Sequence, residues 1–193
     1  MVWTVVLLVA LAGPAAAQST SFGIGAFAGV SLPMGDYGDT EGSDPGAANL
    51  GFSGGLDLFY PLMSGLSWLT TASVTAHSVD EDVSGTDGGY LFIPLMTGLR
   101  YDVAAGPVGL FLTGQAGALF NKGPDFDTTL FSAEGEWGTH LGFAVGGGVQ
   151  ATQNVYAGVK YFPLGEVDFE YGEGANAPQS VSFLEIFVGF GVR

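Results

Sequence analysis

Residues 182–192 read SFLEIFVGFGV, and the alternation within this stretch decides the fold class. Leu184, Ile186, Val188, Phe190 and Val192 fall on one face, and Glu185, Phe187, Gly189 and Gly191 on the other. A period of two belongs to an extended strand, whose successive side chains point to opposite sides. One face is wholly apolar, while the other carries a carboxylate together with Phe187 and two glycines.

The same separation recurs upstream. Leu91, Ile93, Leu95, Leu99 and Tyr101 share a phase that leaves Arg100 and Asp102 on the opposite one. Val155, Ala157, Val159 and Tyr161 oppose Lys160, and Phe52, Leu56, Leu58 and Tyr60 oppose Asp57. In each segment the phase is set by apolar residues alone, yet every charge lands on the other side. A water-soluble barrel would need charges on its outer face and an apolar interior. Here the uncharged face must meet lipid, and the face bearing charges, Gly, Ser, Thr and Gln must line a narrow interior. Gly109, Gly117, Gly142, Gly146 and Gly148 leave room there for larger inward groups.

Composition agrees with this reading. Hydrophobic residues make up 47% of the 193-residue chain and charged residues only 12%, about half the charge of an average soluble protein. No apolar run outside the N-terminus reaches the ~18 residues of a membrane helix. A chain that is apolar overall but never continuously so is what lipid-facing strands produce. Four Lys+Arg against 19 Asp+Glu give a net charge of −15, which argues against nucleic acid as a partner. Cysteine is absent, so disulfides and thiolate metal sites are excluded.

Strand-like segments are expected at 22–32, 50–60, 66–77, 90–102, 108–120, 139–151, 154–163 and 180–192. Short connections at 61–65, 103–107 and 152–153 alternate with long, polar ones at 33–49, 78–89, 121–138 and 164–179. This predicts an all-β fold, an eight-stranded antiparallel up-and-down transmembrane barrel with short periplasmic turns and long extracellular loops. The long loops hold Asp36, Asp39, Glu41 and Asp44; Asp80, Glu81, Asp82 and Asp87; Asp125, Asp127, Glu134 and Glu136; and Glu166, Asp168, Glu170 and Glu173. Outward aromatics at the short-turn end are Phe22, Tyr60, Trp68, Tyr101 and Phe190, with Phe52, Phe120 and Tyr161 nearer the loops. Eight strands enclose an interior filled by side chains, so no wide pore is expected. Charges inside low-dielectric walls need partners. The expected lumen pairs are Lys160–Glu185 and Asp57–Arg100, with Asp102 or Arg193 as further partners.

Residues 1–17, MVWTVVLLVALAGPAAA, read as a signal peptide. An apolar stretch from Val5 to Ala12 precedes the breakers Gly13 and Pro14 and the small-x-small pair Ala15 and Ala17. Cleavage after Ala17 leaves residues 18–193 as the barrel domain.

Two stretches carry a resemblance. FGIGAFAGVSLPMGDYG (22–38) and GYLFIPLMTGLRYDV (89–103) are similar to the outer membrane protein β-barrel domain family, small barrels of the outer membrane protein A-like and PorT-like kind. The second stretch has the family's aromatic-hydrophobic-Ile-Pro-Leu followed by Gly-x-Arg-Tyr. The resemblance spans residues 18–193 and implies fold and lipid exposure, in the outer membrane of a Gram-negative-type bacterium, without implying an activity. Members often end in an aromatic recognised by the assembly machinery; here Phe190 stands three residues from the end. No peptidoglycan-binding domain is expected.

Motifs for chemistry are sparse. DEDVSGTDGGYL (80–91) places Asp80, Asp82 and Ser84 as the first half of a Ca²⁺ loop would, with Asp87 further on. Position twelve is Leu91 in place of a bidentate Glu, so a solvated acidic loop that binds divalent cations loosely is the plainer reading. His77 and His140, with Ser78, Glu81 and Glu136, are the residues a lipid A-modifying enzyme would need at this rim. Adjacent His77 and Ser78 must, however, point to opposite faces of a strand. GIGAFAG (23–29) lacks the spacing and following helix of a dinucleotide fingerprint. The expectation is therefore a non-enzymatic, monomeric structural or interaction barrel without cofactor, with a plugged lumen and acidic loops. Its partners would be outer-membrane lipids and lipopolysaccharide, with divalent cations at the loops. A porin-like channel for small solutes is the first alternative and a lipid A-modifying enzyme the second. The acidity also suits a saline habitat, where such a surface stays hydrated.

Overall fold

A computed structural model describes residues 22–39, 47–80, 88–105, 108–127, 132–171 and 175–192. Eight long strands, β1 (Gly23–Met34), β2 (Ala48–Met63), β3 (Leu66–Val79), β4 (Gly89–Ala105), β5 (Val108–Lys122), β8 (Trp137–Gln150), β9 (Val155–Tyr171) and β10 (Ala175–Val192), form a closed barrel. Two short strands, β6 (Phe126–Asp127) and β7 (Ser132–Ala133), pair within the third long connection. Every pairing is antiparallel; β5 pairs with β8 across the third long connection, the other long strands pair with their chain neighbours, and β1 closes the barrel against β10. The proposed signal peptide lies outside the described residues, as does Arg193.

The alternation of the sequence becomes the two faces of the wall. Phe190, Val188, Leu56, Leu58, Leu95, Leu99 and Val159 are exposed on the outside, whereas Asp57, Arg100, Lys160 and Glu185 are all 5% exposed or less. Phe22, Tyr60, Trp68 and Phe190 stand outward at the short-turn end, and Phe52 is outward nearer the long connections. At the 151–154 turn, Thr152 Oγ1 accepts the N–H groups of Asn154 and Val155 at 3.2 and 3.0 Å, holding the chain reversal.

Two features depart from the sequence reading. The region 164–179 is mostly strand: β9 continues to Tyr171 and β10 begins at Ala175. Glu166, Asp168 and Glu170 therefore project from the exposed face of a hairpin, while Val167 and Phe169 turn inward. The cause is a bulge. Register shifts between Val181 and Ser182, opposite Leu164, and Gly165 takes φ +71°. The extra residue swaps the inward phase from even to odd numbers, which breaks the alternation a reader of the sequence would follow. Second, the interior is rich in rings and bulky apolar groups. Phe92, Met96, Leu119, Phe162 and Phe183 form a cluster in the half nearer the long connections, and Phe27, Phe59, Phe111, Tyr156 and Phe187 form another nearer the short turns. Inward glycines make space for these rings. A methyl group on Gly148 would meet Phe111 Cζ at 2.6 Å, and one on Gly189 would run into the Tyr156 ring.

Candidate functional site

Among the described residues, the charged side chains embedded in the wall face inward, so they are the place to look for function. Arg100 does not reach Asp57. Its Nε and Nη2 donate to Asp102 Oδ1 at 2.9 and 2.7 Å, and Nη2 also donates to Gln150 Oε1 at 2.7 Å. Strand register explains the change. Asp57 lies opposite Thr71, and Thr71 opposite Met96, which leaves Arg100 four residues further along β4, about 13 Å at ~3.3 Å per residue. Asp102, two residues from Arg100, shares its face. The guanidinium also lies 3.9 Å from the centre of the Phe111 ring, a cation–π arrangement in a desolvated setting.

Asp57 is satisfied without a cation. Thr71 Oγ1 donates to its Oδ1 at 2.6 Å and Tyr156 Oη to its Oδ2 at 2.8 Å, while Gln115 Nε2 donates to Thr71 Oγ1 at 3.0 Å. Lys160 and Glu185 are directly opposite across β9 and β10. They act on each other by charge without forming an ion pair. The ammonium sits among the Phe27, Phe187 and Phe162 rings, at 5.1, 5.6 and 5.9 Å from their centres. Glu185 Oε1 accepts from Thr75 Oγ1 at 3.1 Å, and Oε2 has no hydrogen-bond partner.

His77 faces inward and is buried. Its Nδ1 donates to the Asn49 carbonyl at 2.9 Å, and Nε2 shares a hydrogen bond with Ser31 Oγ at 3.1 Å. The Tyr37 ring closes over it edge-on at 5.4 Å. Ser31 was not legible as a partner; it meets His77 through the intervening Gly51, to which both strands are registered. A methyl group on Gly51 would crowd the imidazole, at 2.8 Å from Nδ1. Ser78 points out, His140 Nε2 donates to the Asp168 carbonyl at 3.2 Å, and Glu136 is exposed. Glu81 lies outside the described residues. The described members of that set are thus dispersed.

Of the acidic stretch, Asp80 is half-buried and donates its N–H to the Ala47 carbonyl at 2.9 Å. Asp82, Ser84 and Asp87 lie outside the described residues. Among the described residues, no three His, Asp or Glu side chains converge as metal ligands would.

In the third connection, Asp125 Oδ1 accepts the Gly135 N–H at 2.9 Å, and Lys122 Nζ lies 3.3 Å away. The Gly135 bond and, less strongly, Lys122 hold the Asp125 carboxyl below its ordinary range. A depressed carboxylate pKa stabilises the closed connection above the ordinary range near pH ~4, and the contribution is lost as pH falls through the depressed value. Amide exchange at Gly135 should therefore stay constant from neutrality down to about pH 4 after correction for the intrinsic rate, then accelerate below it. A protection factor unchanged through that range would mean the carboxylate does not hold the loop.

No family model matches the sequence, and no curated protein matches it. Solved structures do. Neisserial surface protein A matches with a TM-score of 0.55 at 21% identity, covering 91% of this chain and 99% of that one. Ail, the attachment invasion locus protein of Yersinia pestis, matches at 0.53 and 17%, covering 89% and 97%. Ail in complex with the heparin analogue sucrose octasulfate matches at 0.52 and 16%, covering 89% and 97%. The strand order, the apolar outer wall and these likenesses agree: the chain has the fold of the small eight-stranded outer-membrane barrels.

Proposed function

We propose that this chain is exported by its N-terminal signal and serves in a bacterial outer membrane as a structural or interaction barrel, closed to ions and bearing an acidic outer rim. The observation that carries the reading is the burial of the lumen charges. Asp57, Arg100, Lys160 and Glu185 are nearly inaccessible, and aromatic rings pack directly against them: Phe111 on Arg100, Tyr156 on Asp57, and Phe27, Phe162 and Phe187 around Lys160. An ion crossing the barrel would have to displace rings that pack against one another, such as Phe162 on Phe183 at 4.6 Å.

The rim supports a choice of partner. Ail has been crystallised with a polyanion. This chain, with 19 acids against four basic residues, would repel such a ligand and favours divalent cations or basic surfaces. Lipopolysaccharide, bridged through Mg²⁺ or Ca²⁺, is the neighbour that fits. On this reading the barrel acts as a monomer, and its role is structural or interactive in place of enzymatic.

Purified protein in planar lipid bilayers should be electrically silent under voltage in molar KCl. Steady, protein-dependent conductance steps would replace this proposal with a small-solute channel.

A further inference from the structure

The barrel wall is not equally sealed all the way round. Between β8 and β9 the ladder runs only from the Gln150–Tyr156 pair to the Val145–Tyr161 pair. Beyond it, β8 continues to Trp137 paired with β5 alone, and β9 continues to Tyr171 paired with β10 alone. Residues 137–144 and 162–171 thus border a seam without strand pairing in the half nearer the long connections. The sequence supplies the reason. Pro163 has no N–H to give, and the bulge with Gly165 immediately beyond it turns β9 away. Three contacts bridge the gap further out: Glu136 N–H to the Glu170 carbonyl at 2.7 Å, His140 Nε2 to the Asp168 carbonyl at 3.2 Å, and Asn121 Nδ2 to that same carbonyl at 3.5 Å.

Unpaired backbone facing hydrocarbon is costly, so such a seam calls for a use. Its outer lip carries Leu141 and Phe143, both strongly exposed. Behind it lie Ala144, Phe162, Leu119 and Met96, all buried and all apolar. Met96 and Leu119 pack closely against the bare backbone of Gly142, where a methyl group would already crowd Met96 Cε at 3.3 Å, and methionine is the side chain best able to repack around a guest. Of the lumen charges Lys160 comes nearest, its ammonium 5.9 Å from the centre of the Phe162 ring on the side toward the short turns.

We propose that the β8–β9 seam is a lateral gate for an alkyl or acyl chain moving between the outer half of the bilayer and the apolar upper lumen. It requires the barrel to span a membrane and is independent of whether ions pass along the axis. The occupant is an apolar chain because the β8 lip at Leu141 and Phe143 and the side chains behind it are apolar, while the acids of β9, Glu166, Asp168 and Glu170, stand further out beyond the bulge.

The chain has no cysteine, so single reporters can be read cleanly. Met96→Cys and Ala144→Cys lie behind the seam, and Leu69→Cys is as deeply buried behind the paired β2–β3–β4 wall. Each variant, folded in phosphatidylcholine vesicles, is treated with bilayer-dissolved pyrene maleimide or with a sulfonated, water-confined maleimide. Pyrene maleimide should label the two seam reporters at least tenfold faster than Leu69→Cys. Adding Pro163→Val, which restores an N–H donor to β9, should slow that labelling toward the control. Equal rates at all three positions overturn the proposal. So does faster labelling of Met96→Cys from water than from lipid, or indifference to Pro163→Val. Should Met96→Cys fail to fold, Ala144→Cys carries the comparison alone.

Discussion

Replacing Lys160 by methionine lowers the unfolding free energy of the barrel in lipid vesicles by about 3 kcal/mol, the scale of leaving a buried charge without its compensating opposite charge. Methionine fills much of the same volume among Phe27, Phe162 and Phe187, so lost packing contributes little. The cost comes from Glu185, which sits opposite in the register, is fully buried, and also feels the negative charge of Asp57. With Lys160 gone, two carboxylates share a low-dielectric interior without a cation nearby. The companion substitution Glu185→Gln should restore most of the loss, because glutamine still accepts from Thr75 and carries no charge. Urea titrations of wild type, both single variants and the double variant give the coupling directly. Additive losses would mean that the two charges do not depend on each other.

At the other end of the lumen, Asp102→Ala should cost about 2–3 kcal/mol, somewhat less because the Asp102 side chain is 26% exposed and partly screened. Arg100 keeps Gln150 and the Phe111 face but loses both hydrogen bonds to the carboxylate. Arg100→Met combined with Asp102→Ala should return close to wild-type stability, since replacing both charges removes the desolvation problem together with the bond. Asp57→Asn is the informative contrast. Its partners are Thr71 and Tyr156, so its loss should not couple to Arg100. Coupling above about 0.5 kcal/mol between Asp57 and Arg100 would reinstate the pair expected from sequence alone.

That misassignment shows where reading a sequence stops. Which wall each side chain faces was legible, because alternation is local and lipid tolerates no charge. Asp57, Arg100, Lys160 and Glu185 all lie inside as the phase required. Which charge meets which depends on the stagger between strands, and nothing within a strand encodes it. The rings inside were hidden for a different reason. An apolar residue on the inner phase looks the same in sequence as one on the outer, so nothing marked Phe92, Phe162 and Phe183 as part of a packed interior. The β9–β10 hairpin was missed because one bulged residue at 164–165 shifts the phase, after which acids and apolar residues no longer alternate in step with the strand below. The partnership of Ser31 with His77 spans three strands and had no sequence signal at all.

The seating of rings on bare backbone, Tyr156 over Gly25 and Gly189 and Phe111 over Gly148, bears on how this barrel can drift over time. Enlarging the small member of such a couple is tolerated only when the large one shrinks, so inner positions must change in tandem. The lipid side has no such bookkeeping, and any greasy residue there serves as well as another. Descendants would thus diverge quickly on the outside while their interiors moved by matched exchanges, and overall identity could fall very low with the shape intact.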